Sequence, residues 1–362
     1  MKSLKIFRNS RVIITGHTGF KGSWLTAWLK QLGAKVMGIS LDPPTYPSHF
    51  GASKINLGIK DVRLDIRDKV KLEQKITAFK PNFVFHLAAQ SLVGLSYKNP
   101  TITWQTNVLG TLNVLESLRK LKNVCNVVII TSDKCYFNRE IHYGYKETDI
   151  LGGKDPYSGS KASAELLVKS YISSFFLSDK SKIRIATARA GNVIGGGDWA
   201  NNRIIADCVR SWSKNKKAEL RNPSATRPWQ HVLEAVGGYL CLAINLSFNK
   251  HLHGEAFNFG PNLSREYSVL ELVKTMGVYW KNISWKVMPK SRKKFYESEL
   301  LRLNCNKAKK ILKWKNILKF SETVEMTTSW YRGYYENPKN IDKITRRQIR
   351  EYEKLLKKRL IK

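Results

Sequence analysis

The chain has 362 residues, 42% of them hydrophobic, and a formal net charge of +35 carried by Lys and Arg along its whole length. That content supports a packed core without staples, and five scattered cysteines, Cys125, Cys135, Cys208, Cys241 and Cys305, make neither a disulfide framework nor a metal-ligand spacing, so they read as reduced thiols in a cytoplasmic protein. The opening MKSLKIFRNS has no apolar run of signal-peptide length, no later stretch approaches the ~20 apolar residues of a membrane span, and a Lys-dominated charge without interleaved aromatics favours a diffuse solvated surface over nucleic-acid binding.

In chain order, Val12, Ile13 and Ile14 form an apolar run that ends in a Gly-rich turn, followed by a helix-periodic segment over 20–32 and a second strand over 36–41. Further strand-like runs lie at 83–86, 127–130 and 183–188, separated by helical patterns at about 70–79, 108–121 and 162–176. This alternation predicts an α/β fold built on a doubly wound parallel Rossmann sheet. Beyond Arg189 the pattern loosens into polar and Gly-rich loops, with helices near 204–213 and 233–243. The expected organisation is a dinucleotide-binding domain over 1–190 and a smaller C-terminal substrate-binding lobe drawn mainly from 191–335 and interleaved with the first. A cleft at the carboxyl ends of the strands should lie between them.

The first turn reads Thr15-Gly16-His17-Thr18-Gly19-Phe20-Lys21-Gly22. Glycines at this spacing allow a tight turn, close approach of N–H groups to a pyrophosphate, and close helix–sheet packing, while the helix N-terminus favours an anion. Asp42, about twenty residues on, is placed to accept hydrogen bonds from an adenosine ribose and to repel a 2′-phosphate, which favours NAD over NADP. As it precedes Pro43-Pro44, a plain turn role competes. Asp65-Ile66 follows a short strand and is placed to meet the adenine, and Leu87-Ala88-Ala89 follows the next with small residues against which a cofactor backbone fits.

Tyr157 and Lys161 are one helical turn apart on one face. An ammonium there favours a phenolate and should draw the tyrosine pKa down toward the range of a general base. An exposed helix start after Pro156 is the bland reading. Strand 127–130 runs into Thr131-Ser132-Asp133-Lys134, so a hydroxyl, a carboxylate and an amine leave the sheet on the cleft side, where open α/β folds do their chemistry. Helix capping by Ser132 or Asp133 competes with that role.

Taken together, Gly16-x-x-Gly19-x-x-Gly22, Asp65-Ile66-Arg67-Asp68, His86-Leu87-Ala88-Ala89-Gln90, Thr106-Asn107-Val108-Leu109-Gly110-Thr111 and Tyr157-x-x-x-Lys161 resemble the extended short-chain dehydrogenase/reductases that act on nucleotide sugars, the epimerase/dehydratase family. The runs TGHTGFKGSWL from Thr15, TSDKCY from Thr131, RAGNVIGGGDWA from Arg189 and RPWQHV from Arg227 are similar to the CDP-glucose branch of its 4,6-dehydratases, over roughly residues 10–335. The resemblance implies a redox-neutral reaction on a nucleotide sugar, CDP-glucose in that branch, yielding a 4-keto-6-deoxy sugar of the kind used in deoxysugar and O-antigen biosynthesis. Tyr157 would take the proton of the 4-hydroxyl, Ser132 would hold that oxygen, and Lys161 would sustain the phenolate. Hydride would pass from C4 to NAD and back to C6 after water leaves across C5 and C6. Asp133 matches the acid that protonates the departing 6-hydroxyl. Lys134 stands where related dehydratases commonly carry a Glu base, and is either the C5 base in neutral form or a salt-bridged structural residue.

By the same resemblance NAD is held by Gly16, Thr18, Gly19, Phe20, Gly22, Asp42, Asp65, Ile66, Leu87, Ala88, Ala89, Asn107 and Thr131 together with Tyr157 and Lys161. The substrate is held by Gln90, Ser132, Asn192, Arg203, Arg221 and Arg227, where forked guanidinium donors suit a diphosphate. Any single Arg in so basic a chain also reads as plain surface. Two positions depart from the family pattern, Ser91 for Pro and Gly94 for Arg, and Gly159 stands where Asn is usual. Family members pair through two helices, here 108–121 and 157–176, which implies a homodimer or homotetramer. A sugar 4-epimerase would share the cofactor turn and the Tyr157/Lys161 pair but has no use for Asp133 as an acid. Over 336–362 a basic amphipathic helix carries Ile341, Ile344, Ile349, Tyr352, Leu355, Leu356 and Leu360 largely on one stripe. Docking on the body or a sister subunit competes there with attachment to an anionic membrane or an assembly partner.

Overall fold

The computed structural model describes residues 4–141, 143–178, 181–261, 265–289 and 300–360, with the side chain of Leu360 left out. Seven strands form one parallel sheet: β1 (Arg11–Thr15), β2 (Lys35–Ser40), β3 (Lys60–Arg63), β4 (Phe83–His86), β5 (Cys125–Ile130), β6 (Ile183–Ala190) and β7 (Ala256–Phe259), in the order β7-β6-β5-β4-β1-β2-β3. The order reverses between β1 and β4, and a crevice at that switch point is where sheets of this kind take their ligands. The sheet is doubly wound, and its seventh strand comes from the second half of the chain.

The period-2 alternation of β1 divides its side chains between two cores. Val12 and Ile14 face the layer of helices α1 (Phe20–Gln31) and, later in the chain, Val232–Phe248, whereas Ile13 faces α2 (Lys69–Phe79) and α3 (Gly110–Arg119). Trp24, Leu25 and Trp28 fill the first core, and Leu72, Ile76, Val114, Leu115 and Leu118 fill the second. Helix α4 (Pro156–Tyr171) starts sharply because Asp155 Oδ1 accepts from the backbone N–H of Tyr157 and Ser158, and Pro156 occupies the first helical position. That cap fixes where Tyr157 points. The helical segment read over 108–121 is α3 preceded by a π-helical turn, Gln105–Leu109, and the one read over 162–176 begins earlier, at Pro156.

Beyond β6 come α5 (Ile204–Trp212), α6 (Val232–Phe248), α7 (Phe320–Glu336) and α8 (Ile341–Leu360). Short strand pairs join this half: Val193–Ile194 with Gln230–His231, Thr226–Arg227 with Tyr267–Ser268, and Ala218–Leu220 with Trp285–Val287. The apolar stripe of α8 lies on the body, with Ile341, Ile349, Tyr352 and Leu356 buried. Its polar anchors are Glu353, which accepts from Trp28 Nε1 at 2.7 Å, and Gln348, which donates to the Met326 carbonyl at 2.7 Å. Among the described residues, no helix is long and apolar enough to cross a membrane.

Candidate active site

The turn after β1 is built for a close neighbour. Gly16 has φ +78°, and a Cβ there would stand 2.7 Å from the Ala88 nitrogen; one on Gly22 would stand 2.0 Å from the Gly16 carbonyl oxygen. Only glycine permits both approaches. The N-cap of α1 is Gly19, with no side chain capping the helix, so its first N–H groups face the crevice. This cradle, with an uncapped helix end and no side chain in the way, fits a dinucleotide pyrophosphate. Ala88 lies directly against the turn, and its N–H donates to Thr15 Oγ1 at 3.3 Å. Phe20 lies against Gly195, where an added Cβ would stand 3.2 Å from its ring.

At the adenosine end, Thr18 Oγ1 hydrogen-bonds Ser40 and the Leu41 carbonyl. The Asp42 carboxylate is 89% exposed, with the Arg63 guanidinium 3.4 Å away. A 2′-phosphate arriving there meets both a carboxylate and a cation. Asp65 is tied to Arg67 by side-chain and backbone hydrogen bonds, which hold its carboxyl below the usual range. Ile66 is buried in the second core, where Gly110 leaves room for its side chain, and its carbonyl accepts from Asn113 Nδ2 at 3.0 Å.

Three sites of the sequence reading carry their polar groups inward. Gln90 spends its amide on the Leu92 backbone and Thr103 Oγ1, and Asn107 braces the Gln90 backbone while donating to Ser160 Oγ at 2.9 Å. These two residues tie the loop after β4 to α4. Thr131 donates to Glu165 Oε1, part of a buried ion pair in which Arg189 Nε lies 2.9 Å from the same carboxylate. The Arg189 pair holds the Glu165 carboxyl below the usual range against the desolvation of burial.

The end of β5 and the start of α4 converge. Ser132, in extended backbone, donates to Asp133 Oδ1 at 2.9 Å and accepts from the Lys134 N–H at 3.2 Å. Lys134 Nζ lies 3.5 Å from Asp133 Oδ1. Ser132 lies close enough to Tyr157 for its hydroxyl to favour the phenolate. Lys161 lies one turn along α4, with Nζ 3.4 Å from the Ile130 carbonyl. Contrary to the sequence expectation, Tyr157 is pushed up to about 12: burial outweighs the Ser132 hydrogen bond, and Asp133 adds a like-signed repulsion. Burial draws Lys161 down to about 8, helped by the positive charge of Lys21.

Lys21 is the residue that sequence reasoning missed. It stands in the first turn of α1, its Nζ 3.4 Å from the hydroxyl of Tyr239 on α6, and it interacts electrostatically with Asp133, Lys134, Asp198 and Arg203. Burial pulls its amine down to about 8. Its signal was a single Lys inside FKGSWLTAWL, an otherwise buried-looking helix. Asp198, missed likewise, follows the triple glycine, and burial raises its carboxyl above the usual range.

Of the candidate substrate residues, Arg203 joins this cluster with Nε 3.5 Å from Asp198 Oδ2. Arg221 hydrogen-bonds Asn202 beside it, while Arg227 lies on the Thr226–Arg227 ribbon with Glu266 close by. Asn192 is half-buried and accepts from the Gln230 N–H through its backbone. Gly94 has open space around it, whereas a Cβ on Gly159 would stand 3.3 Å from the Trp104 ring, so packing does not dictate the glycine at 94 but bears on the one at 159. Among the described residues no group of three or more His, Cys, Asp or Glu gathers to hold a metal ion.

A family model described as GDP-mannose 4,6 dehydratase matches residues 13–327. A CDP-glucose 4,6-dehydratase of Salmonella typhimurium is 43% identical over 332 residues, 91% of this chain and 92% of its own. A UDP-glucose 4-epimerase of Mycoplasma genitalium is 24% identical over 91% of this chain and 98% of its own. Among solved structures, epimerase Mth375 of Methanothermobacter thermautotrophicus superposes with a TM-score of 0.77 at 23% identity, covering 93% of this chain and 96% of its own. The dTDP-glucose 4,6-dehydratase of Bacillus anthracis in complex with NAD gives 0.71 at 22% identity, over 91% and 98%. At these identities the two structures speak for the fold.

Proposed function

This chain belongs to the GDP-mannose 4,6 dehydratase family, and from that premise we propose that it converts CDP-glucose to CDP-4-keto-6-deoxyglucose as an NAD-dependent hydro-lyase. The observation that carries the reading is the buried Asp133 carboxyl hydrogen-bonded to Ser132 beside Tyr157, an acid that inversion at C4 does not need. Bound NAD supplies the hydride acceptor and a positive nicotinamide ring that favours the phenolate.

The chain's own residues do the rest. The Gly16–Gly22 turn and the N-terminus of α1 hold the pyrophosphate, and Asp42 with Thr18 flanks the adenosine ribose. Tyr157 takes the 4-hydroxyl proton, with Ser132 orienting that oxygen and Lys161 supporting the phenolate by its charge. Asp133 gives a proton to the departing 6-hydroxyl. An amine, Lys134 in our reading, takes the C5 proton and returns it after hydride reaches C6. The excess of cations around the two carboxylates, with Lys21 and Arg203 among them, suits the diphosphate of the substrate.

We place the enzyme in the cytoplasm, supported by five free, buried cysteines, in a pathway that supplies deoxysugars such as those of O-antigen. We also propose a homodimer or homotetramer. Its support is the apolar surface just before α3 and on and just after α4, where Trp104, Leu109, Leu166 and Phe175 are exposed.

The test is incubation of the holoenzyme with CDP-glucose. The expected product is a 4-keto-6-deoxy sugar nucleotide without net consumption of NAD, and deuterium placed at C4 should appear at C6. A product that keeps its 6-hydroxyl and is inverted at C4 means an epimerase instead.

A further inference from the structure

Arg203, one of the cations proposed to meet the diphosphate, is paired with Asp198, and Asp198 ends the run Gly195-Gly196-Gly197. That run is packed against side chains from four separate segments. A Cβ on Gly195 would stand 2.6 Å from Val232 and 3.2 Å from the Phe20 ring, one on Gly196 would overlap the Trp330 ring, and one on Gly197 would stand 2.5 Å from His49 Cβ. The glycines here serve close approach, with Trp330 and His49 as two of the walls. The backbone is tied as well: the Gly196 carbonyl accepts from Trp24 Nε1 at 2.9 Å, the Gly197 carbonyl from the His49 N–H at 3.3 Å, and the Asp198 carbonyl from the Tyr331 hydroxyl at 2.7 Å. A segment fixed in this way presents the Asp198 carboxylate to Arg203 Nε at 3.5 Å.

Resting on the dehydratase reading above, we propose that Thr345 of the C-terminal helix α8 is a positioning residue for the substrate site: its hydroxyl locks the two walls, Trp330 and His49, and through them the segment by which Asp198 orients Arg203. The tail of the chain thus acts on the substrate site from behind, through side chains packed against the glycine run.

Thr345 Oγ1 lies 2.9 Å from Trp330 Nε1, 3.0 Å from Ser53 Oγ and 3.3 Å from His49 Nε2. A hydroxyl has one proton and two lone pairs. The indole N–H only donates, so it takes one lone pair. Burial draws His49 down to about 3 and keeps the ring neutral, and in either tautomer the ring and Ser53 divide the remaining proton and lone pair between them. The hydroxyl is therefore fully used. On its far side His49 Nδ1 lies 2.8 Å from Ser23 Oγ of α1, and the ring stacks on Trp24 with centroids 4.5 Å apart. Thr345, His49, Ser53, Ser23, Trp24 and Trp330 are all buried, so a lost partner is not replaced by bulk water. Without the Thr345 hydroxyl, an indole N–H and an imidazole nitrogen stand unpaired directly behind Gly196 and Gly197. The other polar anchors of α8, Gln348 on the Met326 carbonyl and Glu353 on Trp28, bond neither wall.

A hydroxyl that only fastens the tail and one that shapes the substrate site differ in what their loss changes. The experiment is steady-state kinetics with CDP-glucose and titration of the NAD-loaded enzyme with CDP, for wild type, Thr345→Val, Thr345→Ser and Gln348→Met, with a urea midpoint for each. Thr345→Val keeps the shape of the side chain and loses the hydroxyl. It should raise KM and the Kd for CDP together by about 3- to 30-fold, the range that packed networks carry between separate sites. The kcat should stay within about twofold of wild type, since the diphosphate is held alike in ground and transition states. Thr345→Ser keeps the hydroxyl and should recover KM, while Gln348→Met loosens α8 without freeing either wall and should lower the urea midpoint but not change KM. If Thr345→Val keeps the wild-type KM and Kd, if Gln348→Met raises KM as much, or if Thr345→Ser fails to recover it, the hydroxyl is a plain structural anchor and the positioning role is overturned. Should Thr345→Val not fold, Trp330→Phe, which lacks the indole N–H, makes the same test: raised KM at unchanged kcat supports the lock, and a wild-type KM overturns it. If wild type makes no 4-keto-6-deoxy product at all, it is the underlying dehydratase reading that falls, and the CDP titrations still decide the role of Thr345.

Discussion

At the scale of single residues, the electrostatic character of the site comes from cations that burial makes costly. Lys21 is drawn down to about 8 from 10.5, so between those values the native chain holds fewer protons than the unfolded one and stability rises with pH. Below pH 8 the whole penalty is present. Lys21→Met should therefore raise stability at pH 7 by about 1–2 kcal/mol, shrinking to nothing near pH 10.5, as read from urea midpoints of both proteins at several pH values. The same variant should bind CDP about tenfold more weakly, because one of the cations proposed to meet the diphosphate is gone. A variant that is no more stable and binds CDP normally would show Lys21 to be an ordinary surface amine. Asp133→Asn bears on the chemistry itself: it should spare oxidation at C4 but slow loss of the 6-hydroxyl by ~100- to 10,000-fold. Reduced cofactor would then accumulate in a single turnover, and wild-type elimination in this variant would remove Asp133 from the mechanism. These two residues also differ in legibility. Asp133 stands at the end of an apolar strand in TSDKCY, where polarity is conspicuous, whereas Lys21 sits among glycines in a chain with 63 Lys and Arg, where one more cation is invisible. The raised Tyr157 pKa was illegible for another reason: spacing reveals the neighbouring Lys161 but not the depth of burial that outweighs it.

At the scale of elements, the strand–turn–helix alternation, the glycine turn and the basic amphipathic tail were all readable from periodicity, because each imposes a local pattern. Strand β7 was not, since Ala256–Phe259 is only four residues long and is defined by pairing with β6 far away in sequence. The joint between α6 and α8 was equally hidden. Glu234 on α6 is fully buried, accepts from the N–H groups of Ile317 and Leu318 at 2.8 and 2.6 Å, and accepts from the Tyr352 hydroxyl of α8 at 2.8 Å. Burial raises its carboxyl to about 7 from 4.5. The native chain thus holds an extra proton between those values, and the stability this contributes is complete below pH 4.5 and lost as pH rises through 7. Glu234→Gln keeps acceptors for the two amides and a partner for Tyr352 without the charge. It should be more stable relative to wild type at pH 8 than at pH 5, by about 2 kcal/mol, in parallel chemical denaturation series. An equal difference at both pH values would mean that Glu234 does not titrate across that window.

At the scale of the whole molecule, the net charge of +35 has to be weighed against the local site. Most of those cations are exposed, and at physiological salt charges beyond about 8 Å are largely screened, so the overall field contributes little to the affinity of a bound nucleotide. What it changes is the encounter, because a basic surface raises the local concentration of an anionic sugar nucleotide and speeds association at low salt. Lys354, Lys357 and Lys358 on α8 are exposed and take no part in the catalytic cluster. Replacing all three with Glu should leave kcat and the fold unchanged, lower the association rate for CDP-glucose at 20 mM salt by roughly two- to fivefold, and have almost no effect at 300 mM. Lys21→Met should do the opposite, weakening CDP binding at both salt concentrations, since a part-buried charge close to the ligand is screened far less. Stopped-flow association rates with equilibrium titrations at the two ionic strengths separate these cases. If the triple replacement slows association equally at low and high salt, the tail acts through contact rather than through its field. If it does nothing at 20 mM, the basic surface has no part in bringing the substrate in.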